Sequence, residues 1–313
     1  MQIKKRLLTG IQSSGTLHIG NYFGALKPFA DMCIYYESHL MVADLHALTT
    51  VRDPKILRQN TIDVVKDYVA VGVDPVNATI FKQSDVPEHT ELAWMFECLV
   101  TVPFLMQAHA YKDKVAKGME ANAGLFNYPM LMAADILLYD TEVVPVGEDQ
   151  RQHIEYAREA ATKFNNAYGE TFTIPQEKIF EAVGIVPGTD GQKMSKSYKN
   201  TIPLFGSTSE ITKAVMSIVT DSSGDVPQNV YAIHTLFKTR DELDALYKEN
   251  KGMYKNLKDA LIADIEAVVA PMRERRESIT DADVMKILKE GGERARAEAQ
   301  EKMKIVRERV GIL

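Results

Sequence analysis

"LMVADLHALTTVRDPKILRQNTIDVVKDYVAVGVDPVNATIFKQS", residues 40–84, decides the fold class. Its first apolar run, 40–48, reads as a buried strand, and "ATIFKQS" (78–84) reads as the next. Between them Asp53-Pro54 is a cap followed by a first-turn proline, and Leu57, Thr61, Val64, Val65 and Tyr68 recur at helical spacing up to about Gly72. Strand, helix, strand in that order is a βαβ unit. It implies a parallel sheet with helices on its faces.

Outward from this unit, "RLLTGI" (6–11) reads as a short buried strand and "EVVPV" (142–146) as a further one. Helical patterns cover about 89–100 and 125–139, and another helix begins near Asp149. Pro28 lies inside the helical spacing of Tyr22, Leu26, Phe29 and Cys33 and predicts a kink or break. Past residue 205 strand signals vanish. Ser207 and Glu210 are spaced as a capping box, and helices continue to the end with interruptions at Pro271 and Gly291-Gly292. The expected architecture is α/β: a doubly wound, parallel Rossmann-like sheet in residues 1–188, then a C-terminal all-helical domain in 189–313. The last helix is expected to pack back on the first domain.

Composition narrows the function classes. No run of about 18 apolar residues exists, so no membrane-spanning helix is expected. The start, "MQIKKRLLTGIQSSG", lacks the apolar core of a secretory signal. Cys33 and Cys98 lie far apart among apolar residues, fit no disulfide or metal spacing, and read as buried thiols of a cytoplasmic protein. The net charge of −6 means that any nucleic-acid surface must be a local patch. Candidates are "YKDKVAKG" (111–118), "RERR" (273–276) and "KMKIVRERV" (302–310), although each lies in an expected helix, where mixed charge is normally a solvated face.

Four stretches carry possible chemistry. In "GIQSSGTLHIGN" (10–21), His18, Gly20 and Asn21 open a helix after the first strand, where open α/β sheets bind nucleotides. Gly20 would let an adenine ring lie on the backbone, while His18 and Asn21 would donate to phosphate oxygens. The stretch has neither the dinucleotide glycine fingerprint nor a Walker loop, which sets aside a dehydrogenase and a P-loop enzyme. In "PVGEDQRQHIE" (145–155), Asp149 is either a ribose acceptor or a plain helix cap. In "NYPMLMAADILLYD" (127–140), Asp135 sits among aliphatic and small neighbours, where a carboxylate is costly unless it is paired or faces a ligand. Met132 and Tyr128 share its helix face. In "TDGQKMSKSYKN" (189–200), Lys193 and Lys196 stand on a glycine-preceded loop that could close over phosphates.

"HIGN" (18–21) and "KMSKS" (193–197), in that order, resemble the two signatures of class I aminoacyl-tRNA synthetases. "GIQSSGTLHIGNYFGALK", "YPMLMAADILLYDTEVVPVGEDQRQHIE" and "PGTDGQKMSKSYKNTIPLF" are similar to the tryptophanyl branch of that family over essentially the whole chain. The resemblance implies ATP contacts at Gln12, Ser13, Ser14, Gly20, Asn21, Gly147, Asp149, Lys193, Met194, Ser195 and Lys196, with magnesium on the phosphates. His18, Asn21, Lys193, Ser195 and Lys196 would serve the reaction itself. It implies tryptophan contacts at Leu8, Gly10, His46, Tyr128, Met132, Asp135, Val144, Val146 and Gln150, with Asp135 on the indole N–H. Leu8 stands where relatives often carry an aromatic. The implied partners are a tRNA and a second copy of the chain. Leu92, Trp94, Met95, Phe96, Leu99 and Val100 supply apolar surface that would suit a symmetric interface. The implied iron–sulfur cluster of some relatives is ruled out by having two cysteines only. A tyrosine-specific enzyme of the same class, or an inactive synthetase-like RNA-binding protein, is the alternative.

Overall fold

In the computed structural model of the chain, the structure describes residues 4–11, 17–116, 118, 120–146, 151–179, 186–220 and 225–313. Five parallel strands, β1 (Arg6–Ile11), β2 (Glu37–Val42), β3 (Ala78–Lys82), β4 (Val143–Val146) and β5 (Gln176–Ile179), form one sheet in the order β3-β2-β1-β4-β5. The chain builds outward from β1 to β3, then returns to place β4 on the other side. A crevice therefore opens at the carboxyl ends of β1 and β4, the topological switch point where such sheets bind ligands. From Ser38 to Val42 every residue of β2 is buried, as a strand covered on both faces requires.

The strand expected over 40–48 starts earlier and ends at Val42, and Asp44–Ala47 is a helical turn, α3. Before it come α1 (Ile19–Asn21) and α2 (Lys27–Met32), joined by a π turn, Tyr22–Leu26. Pro28 does not break this segment. It sits at the start of α2, just after the wide turn, where its missing N–H and bulky ring are tolerated. Then follow α4 (Pro54–Ala70), α5 (Glu88–Glu97), α6 (Val102–Leu105), α7 (His109–Ala116), α8 (Ala123–Leu137) and α9 (Arg151–Tyr168). Asp53 caps α4 by accepting from Lys55 and Ile56 N–H groups, as its sequence predicts.

Beyond β5 the described chain is helical: α10 (Thr208–Met216), α11 (Gln228–His234), α12 (Arg240–Glu249), α13 (Tyr254–Ser278) and α14 (Asp281–Val310). The Ser207–Glu210 capping box is present. The expected interruptions are not. Pro271 lies inside a continuous α13, whose buried stripe of Leu261, Ile265, Val269 and Met272 outweighs one lost hydrogen bond. Gly291 and Gly292 lie inside a continuous α14, which packs along edge strand β3. A Cβ at Gly291 would come 1.8 Å from the Ile80 carbonyl oxygen, so the glycine is what lets the helix cover the sheet edge.

One apolar cluster gathers α5, α8, α9 and α14 on one side of the sheet, and another gathers α2 and α4 on the other. A third joins Ile19 and Phe23 to Met194, Ile202 and the buried faces of α10, α11 and α13. Residues of two basic patches tie the helical region to the sheet domain. Arg276 bonds Asp67 and Asp63 of α4, and Arg275 donates to the Ala70 carbonyl. Lys302 donates to the Thr171 carbonyl, and Arg307 Nε lies 2.7 Å from Glu91. Cys33 is buried as expected, but Cys98, just past the end of α5, is exposed. No helix among the described residues is long and apolar enough to cross a membrane.

Candidate active site

The switch-point crevice holds a cavity of about 590 Å³, a size typical of small-molecule sites. Leu8 and Gly10 reach it from β1, Val144 from β4, and Tyr128, Met132 and Asp135 from one face of α8. His46, on the turn after β2, completes the set. Sequence spacing put the α8 trio on one face; the sheet order is what brings three other elements to meet it. The walls are mainly apolar, with Leu8 almost fully buried.

Asp135 is the polar focus. The sequence left open whether it is paired or faces a ligand, and the structure gives it both protein partners and a cavity. Its Oδ2 lies 2.8 Å from His46 Nε2, and its Oδ1 accepts from Gln83 Nε2 at 2.7 Å. His89 Nδ1 stands 2.7 Å from the same Oδ1, close enough for an ion-pair contact but out of line for an ideal ring N–H bond. Burial pushes the carboxyl pKa up, but the contacts of His46 and His89 overcome it and hold the group at about 2. Asp135 is thus an anion that can only accept. Burial raises the Tyr128 phenol to about 12, so its hydroxyl keeps its proton.

The two signature stretches also meet. Ile19 N–H donates to the Ile202 carbonyl at 3.0 Å, and Leu204 N–H to the Leu17 carbonyl at 3.0 Å. The Asn21 side chain accepts from the His18 backbone N–H at 3.1 Å, closing the first turn of α1. The side-chain space that Gly20 leaves is taken by the His18 ring, 2.9 Å from where a Cβ would sit, with Met194 at 3.4 Å. Glycine is therefore needed here for contact between the signatures, whatever lies on the backbone's other side. Burial, aided by the nearby Lys196 charge, lowers His18 to about 4, so the ring is neutral at pH 7. Its Nδ1 is buried with no hydrogen-bond partner among the described residues, a polar atom that a ligand could satisfy.

Asn200 shapes the basic loop. Its side chain accepts from Ser195 N–H at 2.8 Å and donates to Asp190 at 2.7 Å and to the Lys193 carbonyl at 3.1 Å. Ser195 in turn accepts from Ser197 N–H. Lys193 and Lys196 remain exposed, whereas the Met194 side chain is buried in the third cluster, so only its backbone can face a nucleotide.

Gln12, Ser13, Ser14, Gly147, Asp149 and Gln150 lie outside the described residues, as does the side chain of Val146. Gln83, His89 and Asn200 escaped the sequence reading. Each is a lone polar residue whose partners lie in other segments or across a loop, so no local pattern marks it.

The comparisons give the family. Residues 2–282 match the family model of class I tRNA synthetases (W and Y). The chain is 47% identical to a tryptophan–tRNA ligase of Fusobacterium nucleatum, covering 99% of this chain and 98% of that one. It is 46% identical to the tryptophan–tRNA ligase of Rhodopirellula baltica, covering 93% and 94%. The crystal structure of tryptophanyl-tRNA synthetase from Campylobacter jejuni, complexed with ADP and tryptophan, superposes with a TM-score of 0.91 at 42% identity, covering 98% and 99% of the two chains.

Proposed function

The chain belongs to the class I tRNA synthetases of the W and Y family, and from that premise we propose that it activates tryptophan with ATP and transfers it to the 3′ end of its tRNA. The observation that carries the choice of amino acid is the switch-point cavity: apolar walls from β1, β4 and α8 around one buried, anionic acceptor. A flat apolar ring with one N–H donor satisfies both. Further support comes from the relatives, which are named tryptophan–tRNA ligases at 40–47% identity.

In this reading the tryptophan carboxylate attacks the α-phosphorus of ATP in line. The bond to pyrophosphate breaks, leaving tryptophanyl-adenylate. A ribose hydroxyl of the tRNA's terminal adenosine then attacks the acyl carbon, and AMP leaves. No protein nucleophile is needed, so the chain's work is orientation and charge. Asp135 receives the indole N–H, with His46 holding it and Tyr128, Met132, Leu8, Gly10 and Val144 enclosing the ring. Neutral His18 and Asn21 donate to phosphate oxygens, and Lys193 and Lys196 bring positive charge as the loop closes. Gln12, Ser13, Ser14, Gly147, Asp149 and Gln150 would complete the ATP and amino-acid contacts, and Val146 the wall. Among the described residues no three His, Cys, Asp or Glu side chains converge as metal ligands. Magnesium, as the resemblance implies, would be carried by the phosphates and neutralise their charge. The helical region would read the anticodon, in a cytoplasmic homodimer.

ATP–pyrophosphate exchange with each aromatic amino acid tests the reading. Tryptophan alone is expected to support exchange, and Lys193→Ala or Lys196→Ala to slow it about 10²-fold with little change in tryptophan affinity. Exchange driven equally by tyrosine, or none at all, would select one of the two alternatives.

A further inference from the structure

We propose that His89 is a positioning residue for substrate selection: acting through Asp135, it makes a ring N–H the feature the cavity reads. The inference rests on the tryptophan reading above.

His89 is fully buried at the start of α5 and does not line the cavity. One ring nitrogen, Nε2, lies 2.9 Å from the Tyr139 hydroxyl; the other, Nδ1, lies 2.7 Å from Asp135 Oδ1. Burial drives the Tyr139 phenol pKa upward, so that hydroxyl keeps its proton; and because the Asp135 carboxylate can only accept, the ring turns an N–H on Nδ1 towards it and leaves Nε2 to accept from the phenol. The imidazole proton is thereby placed on Nδ1, facing the carboxylate. Stacking of the Tyr139 ring on His39, at 4.9 Å between centroids, holds the phenol in place.

Asp135 then has three protein groups around it: His46 bonded to Oδ2, Gln83 bonded to Oδ1, and His89 Nδ1 in close contact with Oδ1, its N–H turned towards that oxygen. Gln83 is itself fixed, because its Oε1 accepts from the His46 backbone N–H at 3.4 Å. An ionised carboxylate offers about four acceptor positions. Three are taken by the protein, and Asp135 lines the cavity, so the one that remains is presented to the ligand. A ligand with no donor there strands a buried, charged acceptor, which costs more than the bond itself is worth. With His89 removed, a position on Oδ1 opens, the carboxylate is free to turn, and water or protonation can satisfy it. Discrimination falls while the cavity's shape stays.

The test is exchange measured with tryptophan and with its isostere in which sulfur replaces the indole N–H. His89→Leu is expected to lower kcat/KM for tryptophan about ten- to hundredfold, the range of one hydrogen bond to a charged group, chiefly through KM. The sulfur isostere should change by no more than about twofold, because it never made that bond. His89→Asn, whose amide N–H can take the place of Nδ1, should restore most of the preference, and Tyr139→Phe should shift it towards the leucine variant. Equal losses for both amino acids, or an asparagine variant no better than leucine, would overturn the proposal and leave His89 a packing residue. If His89→Leu does not fold, Asn against Gln decides in the same way: Gln reaches the Tyr139 side instead, and equal preference in the two would overturn it. Failure of the tryptophan reading looks different, since the unaltered protein would then show no tryptophan-dependent exchange.

Discussion

At Asp135 the sequence posed a question it could not answer. Seven aliphatic or small neighbours on a helix said that the carboxylate was buried, and burial demands a partner. Which partner depended on His46, Gln83 and His89, which lie 89, 52 and 46 positions away in the chain. The consequence for mutation is reversed by the structure. Had the group been unpartnered, Asp135→Ala would relieve a desolvation cost. Removing it instead strands two buried donors, Gln83 and His89, and the half-buried His46, and Asp135→Ala is expected to destabilise the fold by about 3–5 kcal/mol as well as abolish tryptophan selection. Urea unfolding at pH 7 measures this; a loss under about 1 kcal/mol would mean that the donors find water or each other. The sign with pH follows from the carboxyl's depressed value of about 2. The Asp135 contribution is complete above the unfolded carboxyl's pKa of about 4 and is lost as the pH falls from there through about 2. The gap between the parent and Asp135→Asn should therefore be flat from about pH 5 to 8.

Among the elements, those with strong local signals were legible. The Asp53 cap and the Ser207–Glu210 box start their helices where the sequence put them. Errors fell where a distant surface overrode a local rule. Gly291-Gly292 looked like a break, because glycine costs a helix about 1 kcal/mol per residue. It is a contact instead, since α14 lies so close on β3 that no side chain fits between them. Gly291→Ala places a Cβ within 1.8 Å of a backbone oxygen that cannot step aside. A surface glycine-to-alanine change in a helix would stabilise; this one is expected to destabilise by about 1–3 kcal/mol or more. A raised melting temperature would show that α14 does not sit on the edge strand in solution. β5 went unread for a related reason: "QEKI" is short and polar, and pairing with β4 makes it a strand.

For the whole molecule, the apolar residues of α5 and of the turn after it divide in a way that spacing alone did not reveal. Leu92 and Phe96 are fully buried, and Met95, Leu99 and Val100 pack partly against the same core. Trp94 is left 67% exposed. With Leu48 and Leu131 it borders a second cavity, of about 650 Å³, that shares His46, Thr49 and Tyr128 with the switch-point cavity. An exposed indole beside the candidate site suits an isologous interface. We expect a dimer by sedimentation at micromolar concentration and a monomer for Trp94→Glu. Trp94 is the chain's one tryptophan, so its emission should shift to the red on dilution as the interface opens. A monomeric parent would refute the interface.

The sequence by itself determined the parallel α/β class, the helical character beyond residue 205 and the family to which its signatures point. Those rest on period, caps and motif order, all of which act within a few residues of chain. Tertiary structure alone decided which side chains complete the site. The strand order β3-β2-β1-β4-β5 carries β4 back beside β1, and only then do Leu8, Val144 and the Asp135 face of α8 enclose one cavity. The protonation state of Asp135 belongs to the same level, because His46 of α3 and His89 of α5 set it against burial. A buried charge is governed by whatever the fold places within about 3 Å of it, and chain separation carries no record of that distance.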